Sequence, residues 1–223
     1  MNKKEYYSDP KIVKKYENLR FINFGGQFVN LSECKIINDF NLNNKTVLDL
    51  PCGTGRLSIK ILEKYPASKI TCGDYSKEML KTAFERLRNK VKYIEVDFFN
   101  NHIKEKYDFL FNYRFVFHYS DINTLFNQFG KLTNKKGFLV FDTLRWSPHK
   151  LLGHEIYIFS HDEIMNAAKN NGFNLIKKEY CFILPSRIYN YLPKLIIVFL
   201  SKLEKIWPKF MLAKNIWVFQ KIR

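Results

Sequence analysis

The stretch "VLDLPCGTGR", residues 47–56, is an apolar run that stops at an acid and opens into a glycine turn. Val47, Leu48 and Leu50 stand at neighbouring positions, so they face both sides of a strand, as in a parallel sheet covered on both faces. A helix over about 55–65 follows the turn. Several nucleotide sites are built this way, and the spacing separates them. A dinucleotide fingerprint asks for G-x-G-x-x-G, but after Gly53 and Gly55 the third position is Ser58. A P-loop asks for a Lys that this turn lacks. What remains is Asp49, Pro51, Gly53 and Gly55 in the order D-x-P-x-G-x-G.

Working outward, helical patterns cover 9–20 and 31–41 on the N-terminal side. Beyond the turn, strands are predicted at 69–73, 91–96, 107–112, 137–142, 173–182 and 216–222, and helices at 77–89, 121–132 and 160–171. Strands alternating with helices imply βαβ units in one domain, with the ligand over the carboxyl ends of the strands. Three of those ends carry acids: Asp49, then Asp74 closing "KITCGD", then Asp97 closing "VKYIEVD". Ordinary structural roles compete for each. Asp49 or Asp74 would serve as a helix cap, Asp97 as a turn residue, and Cys52 as a small packing residue.

The loop and the acids together resemble class I S-adenosylmethionine-dependent methyltransferases of the small-molecule type, closely over about 45–143 and by topology elsewhere. The resemblance implies a Rossmann-like α/β fold. Its sheet is mostly parallel and seven-stranded, with helices on both faces and an antiparallel last strand. It implies S-adenosylmethionine as cofactor and S-adenosylhomocysteine as product. Gly53 and Gly55 would admit the methionyl and ribose portions, with Pro51 at a position where a small residue or proline is common. Asp49 would meet the amino end and Asp74 two ribose hydroxyls, with Tyr75 beside it. Asp97 would face the adenine amino group, with Phe98 as the wall of the ring and Asn112 at the turn after strand four.

Acceptor candidates lie in three places. After strand four stand Arg114 and His118: His118 is either a general base or a packing histidine, and Arg114 either holds an anionic group or pairs with an acid such as Asp108. After strand five, Arg145, Trp146, His149 and His154 border the expected acceptor side, and their spacing gives no metal site. In the N-terminal segment 1–42, a helix followed by Gly25-Gly26 is read as a cap or lid, with Tyr16, Arg20 and Phe24 turned to the cofactor; a plain helix-to-helix turn is the competing reading. The proline-rich N/D-P-P-Y/F segment of amino-methylating DNA enzymes is replaced by Asn112-Tyr113-Arg114-Phe115, which argues against a nucleic-acid acceptor.

The chain has 223 residues and a net charge of +16. Residues 177–223 carry +8 of it. Four scattered cysteines suit reduced thiols, and the absence of an apolar leader suits a cytoplasmic protein. Residues 183–214, between the last two strands, exceed what a hairpin needs. Leu192, Leu195, Ile196, Phe199, Leu200, Leu203, Ile206 and Trp207 recur at helical spacing there, flanked by Lys194, Lys202, Lys205 and Lys209. Such a helix either packs on the domain or roofs the pocket, rests through 189–209 on an anionic membrane, or makes a dimer contact. The expected function is methyl transfer to a hydroxyl, carboxylate or phosphate of a glycan, lipid-linked or isoprenoid-like molecule. RNA methylation and non-catalytic cofactor binding are the alternatives.

Overall fold

The computed structural model describes residues 7–146 and 155–223. His149 and His154 lie outside the described residues. Seven strands form one sheet in the order β3-β2-β1-β4-β5-β7-β6. These are β1 (Thr46–Asp49), β2 (Lys69–Asp74), β3 (Lys92–Glu95), β4 (Tyr107–Asn112), β5 (Thr133–Leu144), β6 (Phe173–Cys181) and β7 (Lys214–Lys221). The first five pair in parallel, and β7 inserts antiparallel between β5 and β6. The chain runs outward from β1 to β3, then crosses to β4 on the other side of β1. That reversal opens a crevice above the carboxyl ends of β1 and β4.

Neighbouring side chains on a strand point to opposite faces, and both faces are buried. Val47, Phe109, Phe111, Val140 and Val218 belong to one core, whereas Leu48, Leu110, Leu139, Phe141 and Phe219 belong to the other. The first core is closed by α2 (Phe24–Cys34), α3 (Arg56–Lys64) and α4 (Lys77–Leu87) with residues 182–200, and the second by α5 (Ile122–Leu132) and α6 (His161–Asn170); α1 (Pro10–Glu17) packs outside, against α4. Helix starts follow local chemistry. Asp9 caps α1 ahead of Pro10, Asn23 caps α2, Ser76 caps α4, and Ser160 with Glu163 forms a capping box on α6.

Three boundaries differ from expectation, the first being that of β5, which begins at Thr133 rather than at 137. The second helix begins at Phe24 rather than 31, so Gly25 and Gly26 lie in its first turn. They are close-approach positions: a Cβ on Gly25 would stand 1.8 Å from the Tyr189 carbonyl oxygen, and one on Gly26 1.8 Å from that of Leu19. In the 183–214 segment only α7 (Lys194–Leu203) is α-helical, and Ile197, which is not among the residues of the expected apolar face, is its one fully buried residue. Leu195, Ile196 and Phe199 of the expected face point to solvent.

Candidate functional site

Above the β1/β4 crevice lies a cavity of about 450 Å³. Its walls combine strand ends, the N-terminal segment and residues 185–187. One end is acidic. Asp49 is buried, and its Oδ2 accepts from the Ser58 hydroxyl at 2.7 Å. The residue that breaks the dinucleotide pattern therefore anchors the acid that replaces it. Gly55, not Asp49, begins α3, at φ 75°, and a Cβ there would press on Leu87. Asp74 accepts from the Gly53 N–H at 2.8 Å and the Ser76 N–H at 2.9 Å, tying the glycine loop to the end of β2. Gly53 has φ 53°, and nothing stands within 4 Å of where its Cβ would be. That position is shaped for a ligand to approach the backbone. Burial raises the carboxyls of Asp49 and Asp74 to about 6, against the hydrogen bonds they accept. Asp97 turns back onto the Phe99 N–H at 3.1 Å, and buried Phe98 lines the wall next to it.

The other end is basic, and its centre is a residue the sequence reading missed. Glu33 of α2 is fully buried and meets Arg56 at 2.8 Å, Arg114 at 2.8 Å and Lys214 at 2.7 Å. Lys214 also pairs with Asp142 of β5. Burial would raise the Glu33 carboxyl, but Arg114, Lys214 and Arg56 hold it well below the usual range. Arg114 thus pairs with Glu33 rather than Asp108, which instead accepts from Thr46 and Asn134. The Arg114 backbone sits at φ 59°, its N–H donating to Asp142 at 2.5 Å, a left-handed conformation of the kind that recurs at functional sites. Tyr16 and Arg20 reach the cavity from the N-terminal segment, Arg20 from a π-helical turn over Asn18–Ile22. The Arg20 guanidinium lies 5.6 Å from the Tyr16 ring centre. Burial favours the neutral phenol of Tyr16, yet the charges of Arg114, Arg56 and Arg20 bring its pKa below the ordinary value.

Of the expected site residues, the cavity gathers Asp49, Pro51, Gly53, Asp74, Tyr75, Asp97, Phe98, Arg114, His118, Trp146, Tyr16 and Arg20. Four stand elsewhere. Asn112 lies behind the loop, its Nδ2 donating to the Leu50 carbonyl at 2.6 Å. Gly55 packs against α4, Arg145 lies over the Tyr180 ring, and Phe24 faces solvent with Lys194 over its ring. Cys52 is a buried packing residue, as are the other three cysteines, and none is paired. Among the described residues no group of His, Cys, Asp and Glu could hold a metal ion, and no helix is long and apolar enough to cross a membrane.

The glycine loop, the acids at the ends of β1 and β2 and just beyond β3, and the order of the strands are those of the class I S-adenosylmethionine-dependent methyltransferase fold. Residues 47–137 match a methyltransferase-domain family. The chain is 35% identical over 99 residues to malonyl-[acyl-carrier protein] O-methyltransferase 1 of Ilyobacter polytropus, covering 44% of this chain and 37% of that one. It is 24% identical over 146 residues to malonyl-[acyl-carrier protein] O-methyltransferase of Acetivibrio thermocellus, covering 64% and 46%. The chain thus spans less than half the length of these curated relatives. Among solved structures, magnesium protoporphyrin IX methyltransferase of Synechocystis, with bound S-adenosylhomocysteine, superposes over 98% of this chain and 97% of its own, with a TM-score of 0.69 and 17% identity. Phosphoethanolamine N-methyltransferase 2 of Haemonchus contortus, in complex with S-adenosylmethionine, superposes over 96% of this chain and 58% of its own, with a TM-score of 0.70 and 19% identity. At these identities the superpositions speak for the fold.

Proposed function

We propose that this chain transfers a methyl group from S-adenosylmethionine to the hydroxyl, carboxylate or phosphate of a small, apolar-bodied acceptor, of a glycan, lipid-linked or isoprenoid-like kind. The observation that carries the reading is the open backbone position at Gly53, tied to Asp74 and flanked by Asp49 and Asp97 on one cavity wall. The cofactor supplies a methyl group already bonded to its leaving group, so the protein's work is alignment and, where needed, removal of one proton. Asp49 faces the ammonium end, Asp74 the ribose, and Asp97 with Phe98 the adenine. Arg114 and Arg20 orient the acceptor. His118 takes the proton of a hydroxyl acceptor at a ring nitrogen; a carboxylate or phosphate acceptor has no proton to lose and leaves His118 to position.

Chemistry at a carboxyl group agrees with the malonyl-[acyl-carrier protein] O-methyltransferases that the chain resembles. A lipophilic acceptor agrees with the exposed apolar face of α7 and its neighbours, where Leu195 is 83% and Phe199 63% exposed among Lys194, Lys202, Lys205 and Lys209. That face suits the interface of an anionic bilayer. Among the described residues, α7 itself does not line the cavity. Calorimetry with S-adenosylmethionine tests the central reading. Asp74→Ala removes both the ribose acceptor and the tie to Gly53, so affinity falls at least about tenfold. Equal affinity in the two proteins refutes the assignment.

A further inference from the structure

The cavity is polarised along the sheet. Acids stand at the ends of β1 and β2 and just beyond β3, and cations stand over β4, β5 and β7. At the basic end four cationic side chains, Arg20, Arg56, Arg114 and Lys214, surround two carboxylates, Glu33 and Asp142. Two positive charges are therefore left over. The geometry shows where. Arg114 spends Nε and Nη2 on Glu33, and its Nη1 is buried without a hydrogen-bond partner. Arg20 makes no ion pair with the described residues, and its Nη1 is likewise buried and unpartnered. Burial and the neighbouring Arg114 charge pull the Arg20 pKa down to about 10. A buried guanidinium edge without an acceptor is costly in a folded protein, and such edges match carboxylate and phosphate oxygens.

We infer that Arg20 and Arg114, with the Tyr16 ring beside them, form a subsite for an anionic group carried by the acceptor, a carboxylate or a phosphate. This deepens the methyl-transfer reading and rests on it for the ligand's role. The cofactor's own carboxylate is the other anion that could reach these side chains, and charge separates the two. The cofactor brings one carboxylate together with an ammonium and a sulfonium, so its arrival leaves the surplus uncompensated. An acceptor with one or two negative charges cancels it. Arg114 also follows β4, on the far side of β1 from Asp74 and Asp97.

Two probes test the subsite, malonate for a carboxylate and inorganic phosphate for a phosphate, each titrated calorimetrically at constant ionic strength with and without saturating S-adenosylhomocysteine. Malonamide serves as the uncharged control. The intact protein binds at least one anion saturably and does not bind malonamide, and the stronger anion identifies the source. Arg20→Gln, which breaks no ion pair among the described residues, weakens that binding at least about fivefold and leaves S-adenosylhomocysteine affinity within about twofold. Arg114→Gln, read alongside its melting curve, behaves the same way. No saturable anion binding by the intact protein overturns the subsite. So does a large loss of S-adenosylhomocysteine affinity in Arg20→Gln with anion binding unchanged, which gives the guanidinium to the cofactor. If S-adenosylhomocysteine itself does not bind, the methyl-transfer reading falls, and the titrations without it still decide whether the anion site exists.

Discussion

The two ends of the cavity are built differently. The acidic end is made of short-range pieces: each acid lies at or just beyond the end of its own strand, and the loop closes through Gly53 and Asp74, 21 residues apart. The basic end is assembled across the chain, with Glu33 meeting Arg114 81 residues away and Lys214 181 residues away. The first kind of site can be read from a linear pattern; the second exists only once the sheet has closed. The second kind also has more to lose from a single substitution, since each member satisfies several others.

Glu33→Ala is accordingly the largest expected effect. It leaves the Arg56, Arg114 and Lys214 side chains around an emptied centre, with Asp142 paired to the Lys214 side chain and the Arg114 backbone N–H. Removing one partner of a buried ionic cluster costs on the order of 3–5 kcal/mol. Urea unfolding measures it, and a loss below about 1 kcal/mol would show that the cluster is not the keystone of the basic end.

That asymmetry also explains what was legible. The order of strands and helices follows the 2.0 and 3.6 periodicities, and "VLDLPCGTGR" places the loop because a turn that must approach a ligand needs glycine at Gly53. Glu33 carried a weak signal, a lone acid four residues after Val29 on the buried side of a helix, but nothing in "LSECKII" names its partners. Lys214 opens an apolar strand and reads as a solvated end; the antiparallel last strand brings it to the carboxyl edge of β5, but only the closed fold puts Glu33 and Asp142 there to meet it. Asn112 and Gly55 show the opposite case. Each sits at a position where ligand contact and loop support look alike in sequence, and each supports the loop.

Acid titration sharpens the comparison at intermediate magnitude. Asp49 and Asp74 have folded pKa values near 6, above the unfolded carboxylate value of about 3.9. Their contribution is present when both states are protonated and is lost as pH rises through 6. Glu33, held low in the folded protein, contributes in the opposite sense: its stability is present above the unfolded value and is lost as pH falls through the folded one. Asp49→Asn should therefore stabilise the cofactor-free protein by about 1–3 kcal/mol at pH 7.5 and by about a third as much at pH 4.5. Denaturant midpoints at the two pH values check this. An equal gain at both would mean that the carboxylate is not destabilised by burial.

The smallest folding effect belongs to a region outside both ends. In α7, Ile197 is buried while Leu195 and Phe199 stand in solvent, and Ile206 beyond the helix is 80% exposed. Replacing both Leu195 and Phe199 by Asp should change stability by no more than about 0.5 kcal/mol, because neither side chain leaves a packed site. The same double substitution should abolish flotation with anionic vesicles, since it removes apolar insertion and offsets two of the flanking lysines together. If stability falls by more than about 1 kcal/mol, these residues are covered in the folded protein and the face is not a free surface. If stability holds and flotation with anionic vesicles is unchanged, the lysines and the apolar row are a solvated surface, and the membrane part of the proposal fails while the cavity and its two ends stand.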